Sequence, residues 1–223
     1  MTANDVKIVP DLSTVDIKDC IKRFEAENQT SEVAVSSVFS RYNKNIELSE
    51  ILIKVIVINS CYNARLNNNH TSNDTENVNL PVDVYTISDH FFRRREEIAK
   101  YVEDKDKISL IENLKKVGDE YKIAYSFVTK YFYWEYQDMD IYMVDRYVKG
   151  VLYYYNKQIQ YTEKFTQKDL DNYTVFCSAY DAFFSALHKV NNYVFKSTRE
   201  KDIFLWMFAK DLEKKKHIKI TYE

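Results

Sequence analysis

Apolar positions along this chain recur mostly at spacings of three and four, the signature of amphipathic helices. Val15, Ile17, Ile21 and Phe24 open the first such run, which begins at Thr14, and Val33 to Tyr42 reads as a second, short helix. Leu48 to Leu66 is the strongest core candidate, because its stretch ILIKVIVINS carries a single charge, Lys54. The Ile and Val content there would also suit a buried strand. The apolar pattern continues through Cys61, Tyr62 and Leu66, however, which is too long for a strand of about 5–6 residues, so a helix is expected.

Val84 to Tyr101 follows as a helix with Val84, Ile87, His90, Phe91, Ile98 and Tyr101 roughly on one side. Residues 106–117 continue the pattern, and Ser109-x-x-Glu112 reads as a capping box one turn late. Gly118 ends this run as a helix-stop glycine would. Helices over about 119–135, 140–156, 167–190 and 199–215 complete the pattern. Residues 1–13 read as a flexible N-terminal arm. Residues 67–82 are polar apart from Val78, Leu80 and Val82, contain Pro81, and read as a loop that could connect two lobes.

Composition narrows the fold class. Sheet-rich folds need Gly and Pro at their many tight turns, and this 223-residue chain has two of each. The expectation is all-α: a single two-lobed helical domain over 14–223, with about 8–10 helices and no significant sheet. No apolar run approaches the roughly 18 residues a membrane span requires, and the N-terminus has neither a basic start nor an apolar core for a secretory signal. Cys20, Cys61 and Cys177 are odd in number, widely spaced and without C-x-x-C, which fits a reducing compartment. A cytoplasmic protein with no membrane association is expected.

Charge and motif content exclude several chemistries. With a formal charge of −2, no global positive field attracts nucleic acid, so DNA binding would need a local basic patch. His70, His90, His188 and His217 show no metal-binding spacing, and two glycines rule out a Gly-rich phosphate loop. No metal and no cofactor are expected. Arg93, Arg94 and Arg95 are candidates for phosphate contact, with Lys122 and Lys130. Three consecutive residues fan over about 200° of a helix, so a solvated face with Glu96 and Glu97 is the plainer reading of the arginines. Lys210, Lys214, Lys215 and Lys216 sit at a helix C-terminus, where positive charge complements the macrodipole.

The stretch YSFVTKYFYWEYQDMDIYMVDRYVKGVLYYY, residues 125–155, gathers most of the candidate chemistry. Tyr125, Val128 and Phe132 share one helical face, while Phe127, Tyr131 and Trp134 line another. A helix apolar on most sides belongs at the centre of a bundle, which makes these aromatics core residues before they are a base-stacking platform. Ile141, Val144, Val148, Val151 and Tyr155 form a buried stripe in the next helix. Asp145 lies beside that stripe near the helix start, where the dipole favours an ionised carboxylate. Lys149, four residues on, could pair with it.

The order of these pieces resembles the helix-hairpin-helix DNA glycosylase superfamily. The residues that carry the resemblance are EILIKVIVINSCYNARL, ENLKKVG, YSFVTKYFYW and IYMVDRYVKGVL. The chain is also similar to uncharacterised bacterial proteins with a Ser-Phe-x-x-Lys-Tyr helix followed by Ile-Tyr-x-x-Asp-x-Tyr-Val, here Ser126, Phe127, Lys130, Tyr131, Ile141, Tyr142, Asp145, Tyr147 and Val148. The resemblance covers about residues 48–156.

The resemblance makes Asp145 the counterpart of the superfamily's catalytic carboxylate, stabilising the sugar cation as an N-glycosidic bond breaks. A flipped nucleobase would then stack among Tyr131, Phe132, Tyr133 and Trp134. Where bifunctional members carry a nucleophilic lysine, about eighteen residues before the acid, this chain has Phe127, so no Schiff-base lyase activity is expected. The cluster-binding cysteines and the Gly-x-Gly hairpin turn are absent as well; only Gly118 stands in KKVGDEYK. Two functions follow: a glycosylase-like protein that binds DNA and acts on a nucleobase, or a non-catalytic helical module that binds a protein partner, for example in a bacterial defence or regulatory system.

Overall fold

The computed structural model describes residues 9–43, 47–62, 83–117, 121–122, 125–215 and 217–218. The loop expected at 67–82, residues 1–8 of the N-terminal arm, Gly118 and the side chain of Lys122 lie outside what is described. The fold is all-α. Among the described residues the helices are α1 (Ile17–Arg41), α2 (Leu48–Cys61), α3 (Val84–Arg93), α4 (Arg95–Glu103), α5 (Lys107–Leu114), α6 (Tyr125–Glu135), α7 (Arg146–Ile159), α8 (Tyr173–Val190) and α9 (Thr198–Lys214). The one extended pairing among them is a two-residue antiparallel ladder, β1 (Lys116–Val117) with β2 (Tyr121–Lys122).

Several boundaries differ from the sequence expectation, each for a local reason. Thr14–Tyr42 was expected to hold two helices, but α1 runs unbroken from Ile17 to Arg41 through the polar stretch Asn28–Glu32. No Gly or Pro interrupts it, and exposed polar residues propagate a helix without needing to be buried. Conversely, the expected 84–101 helix is split at Arg94, which serves as C-cap of α3 and N-cap of α4. Asp106 caps α5 by accepting from the Ser109 backbone N–H at 2.9 Å, so the acidic residue one turn earlier does the work assigned to Ser109 and Glu112. The helix expected at 119–135 begins only at Tyr125, because Tyr121 and Lys122 pair with β1.

Two compact units divide the chain. One contains residues 1–28 and 144–223, the other residues 29–143. In the first, α7 packs on both α8 and α9, and the core is aromatic: Tyr155 meets Phe183 and Phe208, and Phe204 stacks on Phe208 at 5.4 Å. Buried Asp202 accepts from the Tyr180 hydroxyl at 2.9 Å within this core. In the second unit α2 packs on α3 and α6, and α5 joins α4 to α6. Its centre is Tyr131 of α6, ringed by Phe39, Phe91, Phe127 and Phe132.

Candidate functional site

Asp145 starts α7 as its N-cap and not as a helical residue. Its backbone is extended (φ −138°, ψ 149°), and its carboxylate accepts from the Tyr147 backbone N–H at 2.8 Å. The helix expected from residue 140 therefore begins at Arg146. Residues 140–145 are non-helical, with Asp140 in the left-handed region at φ 48°, a conformation aspartate tolerates better than most residues. Ile141 and Val144 are buried as expected, though they precede the helix. Lys149 sends its ammonium to Asp171 at 2.5 Å, so its side chain pairs there and not with Asp145.

The four aromatic candidates lie in the other unit, on α6. Tyr131 and Phe132 are 1% exposed, and their ring faces are in contact with neighbouring rings. Trp134 is also buried; its indole N–H donates to the Tyr62 hydroxyl at 2.8 Å, and that hydroxyl donates to Glu32 at 3.0 Å. Tyr133 is half-buried and meets Trp134 edge-on. Burial pushes the Tyr131 phenol well above its ordinary pKa, with the nearby Glu135 acting in the same direction.

The basic candidates are engaged locally. Arg93 pairs with Asp89 at 2.7 Å, and Arg94 grips Glu97 and donates to the Asn113 carbonyl at 2.6 Å. Arg95 donates to the Phe92 carbonyl and lies over that residue's ring at 4.5 Å. Lys130 is buried, donating to the Ser126 hydroxyl at 2.8 Å, with its ammonium 5.5 Å from the Tyr62 ring centre. Arg93 and Arg94 are thus each ion-paired within the chain, Arg95 is held by Phe92, and Lys130 belongs to the interior. Among the described residues no group of His, Cys, Asp and Glu could hold a metal ion, and no helix is long and apolar enough to cross a membrane.

Sequence reading missed an ion pair inside the second unit. Lys54 of α2 and Glu135 of α6 meet at 2.5 Å, with side chains 0% and 4% exposed. Eighty-one residues separate them, so no local spacing announces the pair. Lys54 also lies 5.3 Å from the Phe39 ring centre. Half-buried His90 on α3 is a second quiet polar group, whose Nε2 meets no hydrogen-bond partner among the described residues. Burial, and then the charge of Arg94, lower its pKa.

Helix α2 itself is unusual. Lys54 and Asn59 are buried with Ile51, Val55 and Ile58. Ser49, Leu52, Ile53, Ile56, Val57 and Ser60 are all exposed or half-buried, with Ile56 45% exposed. At 100° per residue these six positions fall within an arc of about 140°. A charge thus faces inward while an uncharged, largely apolar strip faces outward.

The first unit carries a cleft of about 520 Å³ between residues 9–12 and the C-terminal ends of α7 and α8, bordered by Ile159 and Val190. Gln158 takes both backbone groups of Val9, and the Tyr155 hydroxyl donates to the Pro10 carbonyl at 2.8 Å. This described part of the expected arm is therefore tied down by its main chain. Cys20, buried in the same unit, has its thiol pushed up to about 11 by desolvation, and the described cysteines are free thiols.

A family profile, HI_0787_N, described as an N-terminal domain, matches residues 16–139, more than half of the chain. The match takes in nearly all of the second unit, including α2, the buried ion pair and the aromatic helix. No curated protein and no solved structure matches significantly.

Proposed function

The chain belongs to the HI_0787_N family, and we propose that it is a helical interaction module that binds a protein partner through the outward face of α2. One observation carries this reading: α2 buries Lys54 and Asn59 and leaves Leu52, Ile53, Ile56 and Val57 on a surface with no charge in it. Exposed apolar side chains scattered singly are ordinary; a contiguous strip marks a contact surface. The strip also lies within the residues matched by the family profile.

Base excision at Asp145 is the competing reading, and the local geometry favours it less. A carboxylate acting on a sugar cation must face the substrate, whereas this one caps α7. The rings nominated to stack on a base pack against one another in a core, which leaves no face for an inserted base.

Photo-crosslinking from a benzoylphenylalanine placed at position 56 tests the proposal in the native host, with position 33 on α1 as an exposed control. A discrete protein adduct from position 56, reduced by Ile53→Lys, is expected. The reading is overturned if position 56 gives no discrete adduct. It is equally overturned if the protein releases a base from damaged duplexes and Asp145→Asn abolishes that release.

A further inference from the structure

The break between α3 and α4 has no Gly or Pro to cause it, and Arg94, the residue shared by both caps, ties it to the end of α5. The Arg94 guanidinium donates to both carboxylate oxygens of Glu97, at 2.8 and 2.6 Å, and to the Asn113 carbonyl at 2.6 Å. The Tyr101 hydroxyl donates to Glu97 at 2.8 Å, and the Asn113 side-chain amide donates to that hydroxyl at 3.2 Å. Arg94, Glu97, Tyr101 and Asn113 thus close a ring of hydrogen bonds across the seam between the α3–α4 junction and α5. Bonds between ionised groups are about twice as strong as neutral ones, so the guanidinium is held where it stands.

His90 stands one helical turn before Arg94, so the two share a face, and its carbonyl accepts from the Arg94 backbone N–H. Its Nε2 is shut away from water and meets no hydrogen-bond partner among the described residues. A neutral ring tolerates that place at the cost of one unmade bond. A proton there creates a buried cation beside a guanidinium that cannot swing away, and like charges one turn apart repel. Glu97, Asp89 and the Leu114 carbonyl act the other way, yet burial and Arg94 outweigh them and hold the ring's pKa down. The charges of the helices around it are committed elsewhere. Lys115 pairs with Glu112 on α5, Lys54 of α2 pairs with Glu135, and Glu50 accepts from the Glu47 N–H at the start of α2.

We propose that this seam is a proton-operated latch, closed while His90 is neutral and opened when its Nε2 takes a proton. In the open form the charged ring reaches water, and α5, with β1 directly after it, parts from the α3–α4 junction. The opening is local: it frees the ring without unfolding α2, α6 or the buried ion pair between them. A ring in water has the ordinary histidine value of about 6.5, so the opening equilibrium rises by up to about tenfold as pH falls from about 7.5 to about 5.5. The advantage of the closed form is complete above the open-state value and is lost as pH falls below it, the sign required of a histidine whose closed-state pKa is depressed.

Native-state hydrogen exchange on the full chain, corrected for the intrinsic pH dependence of exchange, tests the latch. The reporters are the amides of Arg94, Ile98 and Lys115, whose backbone bonds lie at the seam. In the wild type their protection should fall by up to about tenfold between about pH 7.5 and 5.5, and in His90→Gln it should stay level. Seam protection that does not change with pH in the wild type overturns the latch, as does a fall that persists in His90→Gln. So does a fall confined to the most protected amides of α2 and α6, because the ring would then take its proton only when the whole unit unfolds. Titration of the His90 ring by NMR checks the wild type independently of any variant. A midpoint below about 6.5 is expected, and one at or above that value overturns the proposal.

Discussion

Replacing Lys54 by methionine takes this counter-charge away from Glu135 in a place almost closed to water. The Lys54 and Glu135 side chains are 0% and 4% exposed and 2.5 Å apart, so neither charge has solvent to fall back on. Removing one member of such a buried pair typically costs about 3–5 kcal/mol, whereas replacing both by apolar groups of similar volume is close to neutral or stabilising. Lys54→Met also removes the ammonium from the Phe39 ring, which places it toward the upper part of that range.

With a urea m-value of about 2 kcal/mol/M, the midpoint should fall by about 1.5–2.5 M in Lys54→Met and in Glu135→Leu. The double variant should lie within about 1 kcal/mol of the wild type or above it, giving a coupling energy of about 5 kcal/mol or more. Trp134 and Trp206 report on different units, so the titration is followed by fluorescence in a Trp206→Phe background, where Trp134 reads the unit that holds the pair. A cost below about 1 kcal/mol for either single variant would refute the argument. So would a double variant that loses the sum of the two single losses.

His90 supplies a pH dependence. Its pKa is lowered in the fold, first by burial and then by Arg94, against the opposing charges of Glu97 and Asp89. The unfolded chain therefore binds the proton more readily, and its contribution to stability is present above the unfolded pKa of about 6.5 and is lost as pH falls toward the lower folded value. Urea midpoints at pH 7.5 and 5.5 should differ less in His90→Gln than in the wild type; equal differences would refute the assignment. The Lys54→Met/Glu135→Leu double variant should also give less of the protein adduct from position 56 than the wild type, despite its restored stability. An undiminished adduct would separate the ion pair from the α2 face.

Helices were legible in the chain because their spacing repeats, and their ends were less so because ends depend on single contacts. The expectation for α2 as helix and not strand rested on the length of its apolar run, and α2 is helical over 14 residues. The Arg94 break and the unbroken α1 carry no Gly or Pro to mark them. Asp145 was legible as an acid at a helix start; that its carboxylate caps the helix depends on the extended backbone preceding it, which the apolar Ile141 and Val144 disguise as another helical turn. Lys54 stood out in the sequence as a lone charge in an apolar run. Its partner did not, because Glu135 lies 81 residues away at the end of an aromatic helix, and only the packing of α6 on α2 brings the two together.

The same lone charge explains how α2 can be apolar on two sides and still hold one orientation. A helix with Leu52, Ile53, Ile56 and Val57 on one side and Ile51, Val55 and Ile58 on the other could bury either strip at similar hydrophobic gain, since the side chains are alike in area. Hydrophobicity alone would leave its rotation poorly defined. Turning the helix by half a revolution, however, would take Lys54 to solvent and strand Glu135 without its partner, at a cost of several kcal/mol. The ion pair therefore selects the rotation in which the strip Leu52–Val57 faces outward. On this argument Lys54 and Glu135 contribute little net stability compared with an apolar pair. Their role is to decide which face of α2 is presented.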